Sequence, residues 1–245
     1  MSRTNPDLSV VIPVYNEEAI LTSAVHDLLA RLPGLDRSFE LILAENGSTD
    51  RTVEIAGELA GQHDRVSTFS ASEPDYGLAL RQGIARARGT FVVCDEIDIC
   101  DVEFHRRALE LLEAGEADLV IGSKAMSGAD DRRPLGRRAA TRVINGLLRL
   151  LLGFRGTDTH GLKAFKREKM LPVVTRCIVD KDLFASEFVI RAERADVSMK
   201  EIPVTILEKR PPSINLFRRV PNVLMNLGRL VVAIRFKGER GEKQE

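Results

Sequence analysis

The 245 residues carry 44% hydrophobic and 29% charged side chains with 18 glycines and 10 prolines, a balance that excludes a disordered or fibrous chain. Lysine and arginine total 36, as do aspartate and glutamate, so a formal net charge of zero gives no general reason to expect a nucleic-acid binder. Three cysteines, Cys94, Cys100 and Cys177, with no CxxC spacing, suit a reducing compartment such as the cytosol and argue against a disulfide framework or a zinc site.

The length fits one large α/β domain, residues 1–236, followed by a charged tail at 237–245. The first seven residues lack the apolar run of a signal peptide. No stretch reaches the roughly 18 to 20 apolar residues that span a bilayer; Val220 to Phe236 comes nearest and is broken by Asn222, Asn226, Arg229 and Arg235. Charge is unevenly spread. Residues 130–155 hold seven arginines against two aspartates, and 206–237 hold seven cations against one glutamate.

In chain order, Leu8 to Pro13 is a β-branched run predicted to be a buried parallel strand. Asn16 is placed to cap a following helix, with Glu17 and Glu18 in its first turn, and Pro33-Gly34 stops it. A second strand, Phe39 to Ala44, leads to Glu45-Asn46-Gly47-Ser48-Thr49-Asp50, where Ser48 or Thr49 can cap a helix ending before Gly61. A third strand at Val66 to Phe69 precedes a helix over Leu78 to Arg88, and Phe91 to Cys94 forms a fourth strand. This alternation predicts a parallel sheet with crossover helices, whose ligands bind beyond the carboxyl ends of the strands.

The fourth strand ends in four acids within seven residues, Asp95, Glu96, Asp98 and Asp101. Carboxylates so close together need either a cation among them or solvent to screen them, so the cluster is a metal site or a wet turn. Beyond it the pattern predicts a helix from Val102 to Ala114, a strand at Asp118 to Ile121, and a polar, mobile loop from Met126 to Pro134. A basic helix, Arg137 to Leu152, is followed by an irregular link holding Asp158 and His160, then by the run Leu162 to Phe165. Asp182 to Ala195 is predicted helical and Met199 to Ile206 extended. Pro221 to Phe236 has one apolar face, Val223, Leu224, Leu227, Leu230, Val231 and Ile234, flanked by cations.

Taken together, Val10-Ile-Pro-Val-Tyr-Asn-Glu17, Glu45 to Asp50, the acid cluster and Glu201-Ile-Pro-Val204 resemble family 2 glycosyltransferases. The likeness covers about residues 7 to 235 and implies an α/β fold of GT-A type: a mostly parallel, Rossmann-like sheet flanked by helices, with amphipathic helices at the C-terminus. Gly77 to Gly89, Arg137 to Asn145 and Asp158 to Phe165, which is similar to a DTxxGFKxF segment, narrow it to the dolichyl- or polyprenyl-phosphate mannose or glucose synthases.

By this resemblance Pro13, Tyr15, Glu17, Glu45, Asn46 and Ser48 bind the nucleotide, although Tyr15 also suits a core aromatic and Asn46 to Asp50 a plain turn and cap. Glu45 and Asn46 stand where the family usually has two aspartates. Counting forward from Gly89 places Glu96 and Asp98 on the family's metal-binding aspartates, whereas counting back from Phe104 places Asp95 and Ile97 there. Glu96 and Asp98 are preferred, because alternation along a strand end puts them on one side and Ile97 offers no ligand atom. Mg²⁺ or Mn²⁺ is the implied cofactor. Cys100 stands where the family often has a further oxygen ligand.

The implied reaction moves a hexose, with inversion, from a GDP- or UDP-sugar to a polyprenyl phosphate, with Asp98, Arg138 and Lys163 as candidate catalytic residues. Lys124, Arg137 and Arg142, with Arg138 and Lys163, are candidates for holding acceptor phosphates, or else form a solvated helix face. An anionic acceptor needs no strong base, and where relatives with hydroxyl acceptors carry a Glu-Asp pair this chain reads Ala185-Ser186-Glu187. Glu187 is either a substitute base or a solvated helix residue, and His160 either a phosphate or metal ligand or a hydrogen-bonded loop residue. The C-terminal helix lies on an anionic membrane, as on the inner face of the cell membrane, or packs on the core or a homodimer partner. Transfer to a soluble hydroxyl and a regulatory nucleotide binder without catalysis are the competing functions.

Overall fold

The computed structural model describes residues 5–71, 73–179, 183–206 and 225–237. The two longest apolar runs become β1 (Leu8–Val14) and β2 (Phe39–Glu45), every residue of which is buried. They pair in parallel from Leu8↔Phe39 to Val14↔Glu45. β3 (Val66–Ser70) joins the outer side of β2, and β4 (Phe91–Cys94) the other side of β1, both parallel. Pro13 is tolerated inside β1 because the β4 pairing stops at Val11↔Cys94, so on that side no strand requires its missing N–H.

The helices α1 (Leu21–Arg31), α2 (Thr52–Gln62) and α3 (Tyr76–Arg86) are the crossovers. Their starts differ from the sequence expectation. Asn16 adopts a positive φ of 53° and caps nothing; the Glu17 carbonyl instead accepts from Ile20 and Leu21 N–H, and α1 begins at Leu21. Asp50 rather than Ser48 or Thr49 accepts from the Thr52 N–H at 2.9 Å, and α2 runs through Gly61 to Gln62. Asp75 caps α3 through the Leu78 N–H at 3.0 Å, two residues earlier than expected. At Gly83 any Cβ would collide with the Val11 side chain, so this glycine lets α3 lie close on β1.

The second half widens the sheet. After α4 (Val102–Glu113) comes β5 (Leu119–Ser123), and after α5 (Leu135–Leu152) comes β7 (Leu162–Lys166), which enters antiparallel between β4 and β5. β8 (Met199–Pro203) closes the edge, giving the order β3-β2-β1-β4-β7-β5-β8. The loop expected to be mobile contains β6 (Asp130–Asp131), paired with β9 (Thr205–Ile206). Two more helices, α6 (Arg167–Arg176), which carries Pro172 inside it and for which there is no sequence expectation, and α7 (Phe184–Arg194), follow β7.

Side chains alternate across the sheet into two cores. Val11, Ile42, Val92 and Ile121 pack with α3, α5, α6 and α7, while Val10, Leu41, Val93 and Val120 pack with α1, α2 and α4. The C-terminal segment, helical over 225–232 and ending in the π-turn Ala233–Lys237, buries Leu227, Leu230, Ala233 and Ile234 in the first core. Its apolar face therefore meets the core. Asp182, residues 221–224 of the expected amphipathic stretch, the cations at 209, 210, 218 and 219 and the tail from 238 lie outside the described residues. No helix among the described residues is long and apolar enough to cross a membrane.

Candidate active site

The carboxyl ends of β1 and β2 carry loops that are sewn to each other. Asn16 Oδ1 accepts from Thr49 N–H at 2.8 Å, Asn16 N–H donates to Ser48 Oγ at 3.0 Å, and Glu17 N–H donates to Thr52 Oγ1 at 2.7 Å. Glu45 is buried and accepts from Ser48 N–H at 2.6 Å and from the Ser70 hydroxyl. Asn46, also buried, accepts from Asp75 N–H at 2.5 Å and so ties the third loop to the second. The sequence-predicted nucleotide residues are thus brought together, with Tyr15 exposed above them and Pro13 and Glu17 buried. Tyr15 is not a core aromatic.

Beyond β4 the acids part company. Asp95 is buried and accepts from Glu96 N–H at 2.7 Å and Asp101 N–H at 3.2 Å, and its Oδ2 lies 2.6 Å from His105 Nε2. Asp101 caps α4 by accepting from Phe104 N–H at 2.9 Å. Ile97 and Cys100 are buried, the Cys100 thiol 3.3 Å from the Ile97 carbonyl, so Cys100 is not an outward-facing ligand position. Glu96 and Asp98 remain as the partly exposed pair. The strand-alternation argument for them fails, because β4 stops at Cys94 and both lie in a turn; what separates them from Asp95 is that its carboxylate is already used.

Cations face this turn from the other half of the sheet. Lys163 on β7 stands opposite Cys94 and Ile121, is buried, and donates to the Gly161 carbonyl at 2.8 Å. Burial lowers its amine to about 8, against the pull of Asp158 and Glu96. Burial raises the Glu96 carboxyl, while the charges of Lys124 and Lys163 restrain it. Lys124, just past β5, donates to the His160 carbonyl at 3.2 Å and lies 3.4 Å from Asp158 Oδ2. Burial would raise Asp158, but Lys124 and the His160 N–H, 2.9 Å from Oδ1, hold it below its ordinary value. At Gly161 a Cβ would strike the Gly122 carbonyl, which is why this loop closes so tightly on β5.

Sequence reasoning missed three contributors. Arg133 pairs with Asp131 through two 2.8 Å contacts and lies within electrostatic reach of Asp158 and Glu96. Tyr76, at the start of α3 and partly exposed, has its phenol facing the charges of Glu96, Asp95 and Asp98. Glu201 on β8 fixes the 157–158 turn by accepting from Thr157 N–H at 2.7 Å and Thr157 Oγ1 at 2.6 Å; its signal was the Glu-Ile-Pro-Val motif. Of the basic helix, Arg138 reaches Asp131 electrostatically, Arg137 is part-buried in the first turn, and Arg142 is exposed.

The structure bears on two of the sequence alternatives. Glu187 is not solvated: it is fully buried and accepts from Ile178 N–H at 3.0 Å, Val179 N–H at 2.6 Å and Arg191 Nε at 2.7 Å. Three of its roughly four acceptor sites are taken by structural partners, and the carboxylate is buried with them in the core. His160 is a hydrogen-bonded loop residue, with Nδ1 3.0 Å from Thr159 Oγ1, itself 2.9 Å from Ser186 Oγ.

Among the described residues no group of three or more His, Cys, Asp or Glu side chains is arranged to hold a metal ion. Two partly exposed carboxylates in one turn nevertheless fit a hard cation that takes its remaining oxygens from a diphosphate.

Comparison with known proteins accords with this arrangement. The family described as glycosyl transferase family 2 matches residues 9–172. Glycosyltransferase AglD of Haloferax volcanii is 31% identical over 219 residues, which take in 87% of this chain and 35% of that protein. Dolichyl-phosphate beta-glucosyltransferase ALG5A of Trichomonas vaginalis is 29% identical over 212 residues, 80% of this chain and 64% of that protein. The chain thus spans between about a third and just under two thirds of the length of these curated relatives. The crystal structure of glucosyl-3-phosphoglycerate synthase from Mycobacterium tuberculosis with Mn²⁺, UDP and glucosyl-3-phosphoglycerate has a TM-score of 0.60 at 21% identity, covering 94% of this chain and 78% of that one. At that identity the likeness is one of fold, the GT-A fold expected from the motifs.

Proposed function

Because the chain belongs to glycosyltransferase family 2, we propose that it moves a hexose, with inversion and metal dependence, from a GDP- or UDP-sugar to a polyprenyl phosphate at a membrane surface. The observation that carries the reading is the meeting of Glu96 with Lys124, Lys163 and Arg133 where β4 and β5 end and the antiparallel β7 begins. Such a site has carboxylates for a cation–diphosphate on one side and cations for an anionic acceptor on the other. The Trichomonas relative, a dolichyl-phosphate beta-glucosyltransferase, supports the acceptor class.

In this reading Glu96 and Asp98 hold Mg²⁺ or Mn²⁺, which when bound supplies charge to the leaving nucleoside diphosphate. Tyr15, exposed over the Asn16–Ser48 seam, packs on the base, and the joined ends of β1 and β2, bearing Pro13, Glu17, Glu45, Asn46 and Ser48, give the nucleotide a rigid floor. Lys163, Lys124, Arg133, Arg137 and Arg138 orient the acceptor phosphate. That phosphate is itself the nucleophile, so no general base is needed, in keeping with a Glu187 that is buried among structural partners; Arg142 is assigned to the membrane side. The outer face of α5 supports the membrane reading, with Val143 and Leu150 exposed beside Arg142 and Arg149.

Calorimetric titration of UDP, GDP and their sugars with and without Mn²⁺ tests the donor half. Binding should require the metal and be lost in Asp98→Asn; metal-independent binding, or none, overturns it. Transfer onto a short polyprenyl phosphate in preference to a soluble phosphate ester tests the acceptor.

A further inference from the structure

A buried aspartate–histidine pair stands directly behind the acidic turn. Asp95 and His105 are both fully buried, with Oδ2 and Nε2 2.6 Å apart. Asp95 also receives Glu96 N–H and Asp101 N–H, the first and last amides of the turn that presents Glu96 and Asp98. Three donors therefore converge on one side chain, two from the turn and one from the second turn of α4. The His105 ring has no other hydrogen bond: its Nδ1 is buried without a partner, and the ring lies edge-on to Phe104 at 6.3 Å. A histidine kept in the core with one nitrogen unsatisfied costs free energy, and the bond to Asp95 is its only polar return.

We propose that His105 is a positioning residue: donating from Nε2, it locks Asp95 across residues 96–101 and so presets Glu96 and Asp98 to receive a divalent cation with a nucleoside diphosphate. The physical basis is the asymmetry of buried polar groups. With His105 in place Asp95 is anchored to a helix that is packed on the core through Phe104, Ala108, Leu109 and Leu112. Without it a buried carboxylate keeps only backbone partners that belong to the turn itself, and the turn no longer has a fixed reference point. Neither residue contacts the cation, so the effect is on its affinity and not on its ligand set. The inference rests on the assignment of Glu96 and Asp98 made above.

The test compares His105→Gln, whose amide nitrogen stands close to the lost Nε2, with His105→Leu, which keeps bulk and removes the donor. Two readouts are taken: hydrogen-exchange protection of the Glu96 and Asp101 amides without ligand, and Mn²⁺-dependent affinity for UDP and GDP by calorimetry. His105→Gln should keep protection and hold affinity within about threefold; His105→Leu should lose at least tenfold in both. Because His105→Leu strands a buried carboxylate, Asp95→Leu combined with His105→Leu serves as the stability control. That pair should regain thermal stability without regaining amide protection or Mn²⁺ affinity. Recovered affinity in the double variant, or unchanged protection and affinity in His105→Leu, overturns the proposal. A wild-type chain that binds neither nucleotide with Mn²⁺ overturns the cation assignment instead, and amide protection then decides whether His105 braces the turn at all.

Discussion

Lys163 carries an ammonium into the middle of a sheet, where water cannot solvate it. Burial lowers its amine from 10.5 to about 8. Between those values the unfolded chain binds more protons than the folded one, so the contribution of this residue to stability rises as pH climbs from about 8 toward 10.5. Lys163→Met removes the titrating group at similar length. Thermal unfolding of both proteins from pH 7 to 10 should show the variant comparing best with wild type at pH 7, and losing ground as pH rises; parallel curves would mean that the amine does not titrate on folding. A family resemblance was enough to single out Lys163, yet its burial was not legible, since that depends on β7 lying between β4 and β5. The same holds for Asp95. Nothing in the run Asp95-Glu96-Ile97-Asp98 tells which acids face out; the answer lies ten residues on, at His105.

α5 shows how one helix serves two environments. Leu148 and Leu152 enter the core, and Asn145 donates to the Thr157 carbonyl at 2.6 Å, fixing the helix to the loop that carries Asp158. On the outer side Leu135, Val143 and Leu150 are 78%, 61% and 79% exposed. Arg235 of the C-terminal segment donates to the Leu151 carbonyl at 2.6 Å, and that segment adds exposed Val232 and Phe236. Burying an aliphatic side chain of this size is worth roughly 1.5–3 kcal/mol, or tenfold or more in affinity. In the membrane reading, Val143→Glu with Leu150→Glu should weaken sedimentation with anionic vesicles by more than about tenfold, with melting temperature and Mn²⁺-dependent nucleotide binding unchanged. Undiminished sedimentation would remove this face from the membrane. Periodicity shows one apolar face flanked by cations at the C-terminus, but not what covers it; of the two environments open to that face, lipid or the core, the described residues Leu227, Leu230, Ala233 and Ile234 lie in the core. Strand and helix are legible where the local pattern is uninterrupted, whereas α6, with Pro172 inside it, has no sequence expectation.

At the scale of the whole sheet, the site lies where two topologies meet. β3, β2, β1 and β4 form a parallel unit with its switch point between β1 and β4, and β7 joins that unit to β5 and β8 by running the other way. Parallel strands could be expected from alternation with helices, but an antiparallel insertion of a strand from residue 162 between strands ending at 94 and 123 is a tertiary fact with no local signature. Its consequence is that the carboxylates come from the first half and Lys124, Arg133 and Lys163 from the second, so a ligand held by both halves must bind the native sheet and not either part. Binding then stabilises the fold as a unit. At about one hundred times the dissociation constant the gain is roughly 2.7 kcal/mol, and for a chain of this size each kcal/mol raises the melting temperature by about 2–4 °C. Mn²⁺ with the preferred nucleotide should therefore raise it by about 5–10 °C in one cooperative transition. Chelation should reverse the shift, and Asp98→Asn should abolish it. A shift confined to part of the transition would mean that the ligand engages one half alone, and the carboxylates and cations would then not share a substrate.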